Sequence, residues 1–98
     1  MDFKLQGEPD LTPIWITIYY DFLIQNITGK TYERSMANRG CPFGFVFHCL
    51  LVDYPDIQRL YPPGILAFTL NGLAPEFKTP LQDGDEICLM VEKDNNPN

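Results

Sequence analysis

The chain has 98 residues, a length that fits one domain built around a single hydrophobic core. Hydrophobic residues make up 45% of it and aromatic residues 13%, which is enough for a packed interior and far from the composition of a disordered chain. The formal net charge is -6 and only seven residues are Lys or Arg. Binding to phosphates depends on clustered basic residues, so neither nucleic acid nor a membrane surface is expected as a partner.

The chain carries no signal for secretion, membrane insertion or enzymatic chemistry. No basic stretch followed by a long apolar run opens it, and its longest apolar run, residues 43–52, is too short to cross a bilayer. A cytoplasmic protein is therefore expected. Cys41, Cys49 and Cys88 are an odd count without the spacing of a zinc site, and we expect reduced thiols and no metal. With His48 as the only histidine, no catalytic residue and no cofactor is predicted.

The first third of the chain predicts an arm, a strong strand, a connection and a weak strand. Residues 1–13 show no periodicity and are expected to form a flexible arm. Residues 14–20 alternate β-branched and aromatic side chains, the pattern of a half-buried strand. Residues 21–30 are interpreted as a connection with apolar anchors that ends at a glycine. A weaker alternation around residues 30–36 predicts an edge strand.

The middle of the chain predicts the main helix, over residues 42–54. Its apolar side chains recur at helical spacing on one stripe: Phe43, Val46, Phe47, Leu50, Leu51 and Tyr54. Pro42 suits the first turn of a helix, and Pro55 disfavours helical geometry at the residue before it. A helix of about 12 residues is about 18 Å long, enough to cross a small sheet.

The segment after this helix predicts a hairpin. Residues 65–70 form an apolar run too short for a helix, and Asn71-Gly72 is the favoured two-residue turn between strands. Residues 73–78 would return as a short strand. Pro75 would place that strand at an edge or a bulge.

The end of the chain predicts a tight turn over residues 80–85, a buried strand over residues 86–91 and a flexible polar tail over residues 92–98. The domain itself is predicted to span residues 14–91. If the first and last strands lie side by side as central parallel strands, with the helix across one face, the result is an α+β roll of the β-grasp, or ubiquitin-like, type. Its mixed sheet would have four to five strands. Another small α+β sandwich with the same element order is the alternative.

Several stretches in these elements point to a known family. The first strand and the loop end at residues 27–30 carry part of the match, and residues 50–56 and 70–72 carry more. The most specific stretch is the turn before the final strand, Thr79-Pro80-Leu81-Gln82-Asp83-Gly84-Asp85-Glu86-Ile87. Together they resemble the MoaD/ThiS family, the small sulfur carriers of molybdopterin and thiamine biosynthesis, over about residues 14–91.

The resemblance implies a carrier whose C-terminal glycine carboxylate is adenylated by an activating enzyme and converted to a thiocarboxylate. Glycines suit that chemistry because a tail without Cβ atoms can extend through a narrow channel. Counted from the Asp-Gly-Asp turn, Asn95 and Asn96 occupy the positions of the two glycines, and no glycine follows Gly84. The sequence therefore predicts the body of a carrier without its reactive end.

The sheet face opposite the helix is the candidate binding surface. If the aliphatic residues of each strand face the core, strand alternation turns Trp15, Tyr19, Thr69, Cys88 and Met90 outward. Exposed Trp, Tyr and Met side chains on one face are typical of a protein-binding surface. Alternatively, the N-terminal arm or the loop around Phe22 covers this face.

Two functions remain open at this stage. The first is a non-enzymatic interaction module or accessory subunit that docks through its open sheet face, with acidic residues Asp83, Asp85 and Glu86 at the rim. Its partner would be an activating enzyme, a synthase-like subunit or a metalloenzyme. The second is a sulfur carrier that uses an atypical C-terminus.

Overall fold

The structure is a computed structural model that describes residues 10–62 and 64–92. Its elements, in chain order, are β1 (Pro13–Tyr20), α1 (Phe22–Thr28), β2 (Tyr32–Asn38), α2 (Phe43–Asp53), α3 (Pro55–Leu60), β3 (Leu66–Leu70) and β4 (Glu86–Val91).

One mixed sheet contains all four of these strands, in the order β2-β1-β4-β3. The first and last strands are its centre and run parallel, with Ile18 of β1 opposite Ile87 of β4. Strand β2 pairs with β1, and β3 with β4, both antiparallel. The predicted α+β roll is therefore confirmed, and the second strand lies at an edge of the sheet as expected.

The core lies between the sheet and α2, and both elements direct their apolar side chains into it. Every second residue of β1 points inward, and the side chains of Ile14, Ile16, Ile18 and Tyr20 are buried. The stripe predicted for the main helix is also confirmed, because its members are either buried or packed against the core. Burying one such aliphatic side chain contributes about 1.5–3 kcal/mol, so this interface is the main source of stability.

The segment between β1 and β2, interpreted above as a connection, is a helix, and that interpretation was wrong. The Asp21 carboxylate caps α1 by accepting the N–H of Ile24 at 2.9 Å. Gly29 ends the helix in the left-handed conformation, at φ 75°, and its N–H donates to the carbonyl of Gln25. Ile24 is fully buried and fixes the helix to the core. An N-cap aspartate and a C-terminal glycine are both readable signals, but only seven helical residues separate them.

The strand predicted over residues 73–78 does not form. Asn71 and Gly72 do make a turn with positive φ, at 52° and 87°, but the pairing stops at the bridge between Leu70 and Leu73. Pro75 has no N–H to donate to a ladder, so the chain continues as irregular structure.

A further short helix, α3, was not predicted. Pro55 ends α2, but it also occupies the first turn of α3, where its missing N–H costs nothing. Ile57 of α3 is fully buried, and the N–H of Tyr61 closes the helix on the Ile57 carbonyl at 2.8 Å.

A polar cluster fastens the end of α2 to the sheet. The hydroxyls of Tyr20 and Tyr54 donate to the Glu33 carboxylate at 2.6 and 3.1 Å, and the Lys30 ammonium forms an ion pair with it. Burial acts to raise the pKa of Glu33, but these hydrogen bonds outweigh it and lower that pKa overall. Burial and the neighbouring Glu33 both raise the pKa of Tyr20 far above its usual value.

Candidate functional site

The candidate site is the sheet face that points away from α2. Three rows of outward-pointing residues run across it from β2 to β1. Two of these rows continue to β4, and one of those two reaches β3. Met36 lies opposite Trp15. Arg34 lies opposite Thr17, which pairs in turn with Glu86. The third row is Tyr32, Tyr19, Cys88 and Thr69.

The β1–β2 end of this face is an exposed aromatic and methionine cluster. The exposed fractions are 43% for Trp15, 39% for Tyr19, 55% for Tyr32 and 57% for Met36. The rings of Tyr19 and Tyr32 are tilted against each other with their centroids 5.9 Å apart. The guanidinium carbon of Arg34 lies 4.8 Å from the centroid of the Trp15 ring, which is cation–π geometry. These contacts hold large side chains in place on a rigid sheet. We call these five residues the aromatic cluster.

Three of the five predicted site residues lie elsewhere on the same face. Thr69, Cys88 and Met90 belong to β3 and β4 and are only partly exposed. Cys88 lies opposite Tyr19, but Met90 is two residues further along β4, toward the end of the strand. At about 3.3 Å per residue, Met90 lies about 20 Å from Trp15 along the strand direction. The predicted anchors therefore share a face without forming one cluster.

An acidic side chain borders the centre of the face. The Tyr19 hydroxyl lies 3.4 Å from the Glu86 carboxylate, and that negative charge raises the pKa of Tyr19. Glu86 is exposed, whereas Arg34 brings a positive charge on the other side of Thr17. The face thus offers both signs of charge beside its apolar side chains.

The Asp-Gly-Asp turn supports the rim beside Trp15. Asp83 accepts the backbone N–H of Trp15 at 2.8 Å through its carboxylate, and the Gly84 N–H donates to the Trp15 carbonyl. Asp85 receives the side-chain amide of Asn71, while its own carbonyl accepts the N–H of Thr17. Gly84 has φ 89°, a conformation that glycine adopts at little cost. The motif that carried the family resemblance is therefore the turn whose hydrogen bonds fix this end of β1.

Phe22 does not cover the aromatic cluster. It lies on α1 with 78% of its side chain exposed. The N-terminal arm over residues 1–13 was the other cover considered, and all but residues 10–13 of it lies outside the described residues. Asp10, the first described residue, forms an ion pair with Arg39 at 2.9 Å.

Sequence reasoning missed three members of the aromatic cluster: Tyr32, Arg34 and Met36. Their alternation was recognised as the signal of an edge strand, but they were not assigned to a surface. The missing information was the register, since only the pairing of β2 with β1 brings them opposite Trp15, Thr17 and Tyr19. Their even spacing with polar residues between was the only available sign.

The remaining predictions concern cysteines, metals and the tail. Cys41, Cys49 and Cys88 are free thiols, and burial raises the pKa of Cys41. In residues 10–62 and 64–92, no group of three His, Cys, Asp or Glu side chains is placed to hold a metal ion. No helix in these same ranges has the length and apolar character needed to span a bilayer. Asn95 and Asn96 lie outside the described residues.

The strand order and the helix across one face define a ubiquitin-like β-grasp domain. No protein-family model and no curated protein sequence matches the chain. Solved structures do. Small archaeal modifier protein 1 of Haloferax volcanii superposes with a TM-score of 0.70 at 14% identity, covering 82% of this chain and 99% of its own. A Pyrococcus furiosus protein described as molybdopterin converting factor, subunit 1, superposes with a TM-score of 0.71 at 13% identity, with the same coverage.

A ubiquitin of Caldiarchaeum subterraneum is more distant, with a TM-score of 0.54 at 16% identity, covering 86% of this chain and 99% of its own. The resemblance to MoaD/ThiS proteins is thus confirmed in the fold. At these identities the likeness establishes the architecture, and function must be argued from the surface.

Proposed function

We propose that this domain is a non-enzymatic interaction module that docks a protein partner through its open sheet face. The observation that carries the proposal is the aromatic cluster, in which two Tyr, a Trp and a Met side chain are exposed together. Aromatic residues, Met and Arg are the types enriched at the centres of protein interfaces. Exposing them together on one face lowers the solubility of a domain, and a partner that covers them removes this disadvantage.

The contacts within the cluster favour tight binding. Arg34 stacks on Trp15 and Tyr19 leans on Tyr32, so these side chains are ordered before a partner arrives. Ordering a flexible side chain at an interface costs about 0.5–1.5 kcal/mol, and that cost is reduced here. Trp, Tyr and Arg at the centre of an interface are the residues whose truncation most often costs 2 kcal/mol or more.

The partner that fits best is a synthase-like subunit, an activating enzyme or a metalloenzyme to which this chain is an accessory. The support is twofold: the Pyrococcus furiosus structure is described as one subunit of a converting factor, and the face offers Arg34 and Glu86 as charged contacts beside its aromatic side chains. The net charge of -6 disfavours nucleic acid. The cytoplasm is the proposed location.

Affinity purification from the native host tests this proposal. Wild type, Trp15→Asp and Phe22→Asp are compared, because Phe22 is an even more exposed aromatic residue that lies outside the aromatic cluster. A protein recovered with wild type and Phe22→Asp, and lost with Trp15→Asp, is then purified for calorimetry. We expect Trp15→Asp to weaken its binding at least about 30-fold, which corresponds to about 2 kcal/mol. Identical partner lists for all three proteins would count against the proposal.

A sulfur carrier with an atypical C-terminus is the second candidate. The observation that favours it is the fold shared with a modifier protein and with a molybdopterin converting factor subunit. Its test is incubation with ATP and an activating enzyme, followed by measurement of the intact mass. Replacement of one carboxylate oxygen by sulfur adds about 16 Da, and an unchanged mass excludes carrier activity.

A further inference from the structure

A second surface, separate from the aromatic cluster, lies between β2 and α2. It is a groove of about 370 Å³ that runs along the inner side of the edge strand. Ser35 and Ala37 point into it from β2, and Phe45, Val46 and Cys49 line it from α2. Because Ser35 and Ala37 are small, the strand and the helix leave a gap that larger side chains would have filled.

The backbone of β2 is open along this groove. The N–H of Tyr20 donates to the Thr31 carbonyl, and the N–H of Arg39 donates to the Thr12 carbonyl. Antiparallel pairing alternates, so the odd-numbered residues of β2 bond to β1 and the even-numbered residues turn their N–H and C=O groups away. Tyr32, Arg34 and Met36 therefore present three free donors and three free acceptors at the sheet edge. No backbone group in residues 10–62 or 64–92 is bonded to them.

An unpaired strand edge beside a groove of partly apolar side chains is the geometry at which another extended segment can add to a sheet. A segment added to the edge gains main-chain hydrogen bonds, and every second side chain of it points into the groove. The edge from Tyr32 to Asn38 is about 20 Å long, which matches a bound segment of about six or seven residues.

The charge of the groove indicates what this segment contains. Asp53 lines one end, is exposed, and forms no ion pair with any residue in the described part of the chain. Glu33 also lines that end, but Lys30 already pairs with it. A Lys or Arg of the bound segment would lie beside Asp53, while Phe45, Val46 and Leu50 accept apolar side chains.

We propose that the β2 edge binds an extended peptide segment of a partner protein as a fifth strand. The segment carries alternating apolar residues, Val, Ile or Leu, followed or preceded by a basic residue that meets Asp53. This inference stands apart from the proposed function, because the groove lies on the helix side of the sheet and the aromatic cluster lies on the other.

Selection from a phage-displayed library of random peptides, about twelve residues long, tests the proposal with the full chain as bait. We expect enrichment of peptides that combine two or three β-branched or Leu residues with Lys or Arg. Nuclear magnetic resonance with a synthetic copy of the enriched peptide should show shifted, exchange-protected amides at Tyr32, Arg34 and Met36. Alkylation of Cys49 by iodoacetamide should slow when this peptide is bound.

Two pairs of variants separate the groove from other surfaces. Cys49→Trp fills the groove from an exposed helix position and should weaken the peptide at least tenfold. Val52→Trp places the same side chain on the same helix outside the groove lining and should not. Met36→Pro removes an outward N–H that β1 does not use, and should abolish binding that Met36→Ala retains.

Several results would overturn the inference. They are no enrichment, equal binding by Cys49→Trp and Val52→Trp, or resonance shifts at Trp15 and Tyr19 with none at the amides of Tyr32, Arg34 and Met36. Self-association of the chain at the β2 edge, seen as a dimer that Cys49→Trp leaves intact and Met36→Pro disrupts, would identify a second copy as the occupant instead. If Met36→Pro fails to fold, the Cys49→Trp comparison decides.

Discussion

Asp21 joins the last strand to the first helix, and its removal should destabilise the domain strongly. One carboxylate oxygen accepts the N–H of Ile24 at 2.9 Å and so caps α1. The other oxygen accepts the N–H of Val91 in β4 at 2.7 Å. The backbone of Asp21 adds a third link, since its N–H donates to the Leu89 carbonyl at 3.0 Å. Asp21→Ala removes the first two and leaves the third.

The expected cost follows from these two bonds. Loss of an N-cap costs about 0.5–2 kcal/mol. Loss of a hydrogen bond to a charged group costs about 1.5–3 kcal/mol. Asp21→Ala should therefore lower the free energy of unfolding by about 2–5 kcal/mol, a large part of the 5–15 kcal/mol usual for a domain. Asp21→Asn keeps one acceptor oxygen for the cap and should lose about 1–3 kcal/mol.

Urea unfolding followed by the fluorescence of Trp15, the single tryptophan, measures these changes. The denaturation midpoint should fall with an unchanged slope, because the surface exposed on unfolding is the same. Asn26→Ala, at an exposed position of the same helix, is the control and should change stability by less than about 0.5 kcal/mol. The reasoning is refuted if Asp21→Ala is no more destabilising than Asn26→Ala, or if Asp21→Asn loses as much as Asp21→Ala.

Three further predictions test other contacts. The folded-state pKa of Glu33 lies below its ordinary value of 4.5, so its carboxylate stabilises the fold above that pH and stops doing so as acid protonates it. In Glu33→Gln the free energy of unfolding should therefore fall less steeply below about pH 5 than in wild type. Acid titrations that give the same profile for both proteins would contradict this. Gly44→Ala should lower the free energy of unfolding by about 1–3 kcal/mol, because the new Cβ would lie 3.0 Å from the Phe77 carbonyl oxygen. A thermal melt checks this, and a stabilised variant would show that the segment around Phe77 moves away without cost. Arg34→Ala should remove the contact with Trp15, and losing such a contact at an exposed site costs about 0.5–1 kcal/mol. The variant should show altered Trp15 fluorescence emission and stronger quenching by acrylamide. Unaltered emission would exclude the stacking.

Much of the fold was readable because the signals are local. The alternation of Ile14, Ile16 and Ile18 specifies a strand with one buried face, and the stripe from Phe43 to Tyr54 specifies a helix. Both periodicities reflect geometry within one element. The Asp-Gly-Asp turn was equally clear, because Gly84 needs a positive φ.

The errors arose where local signals compete. The helix after Asp21 has a cap at each end but only two turns, and its single buried residue, Ile24, leaves little periodicity to detect. Residues 73–78 had the composition of a returning strand. The outer edge of β3 was available, but pairing there stops at the Leu70–Leu73 bridge, because Pro75 has no N–H to donate to a ladder.

The sequence by itself determined which side chains point out of each strand, since alternation within a strand needs no partner. It therefore predicted that Trp15, Tyr19 and Met90 share a face. Only the tertiary structure decided which of them are neighbours. Register places Tyr32 and Met36 beside Trp15 and Tyr19 and leaves Met90 apart, and sheet order places β2 at an edge. Both depend on hydrogen bonds between residues distant in the chain, which no local pattern encodes.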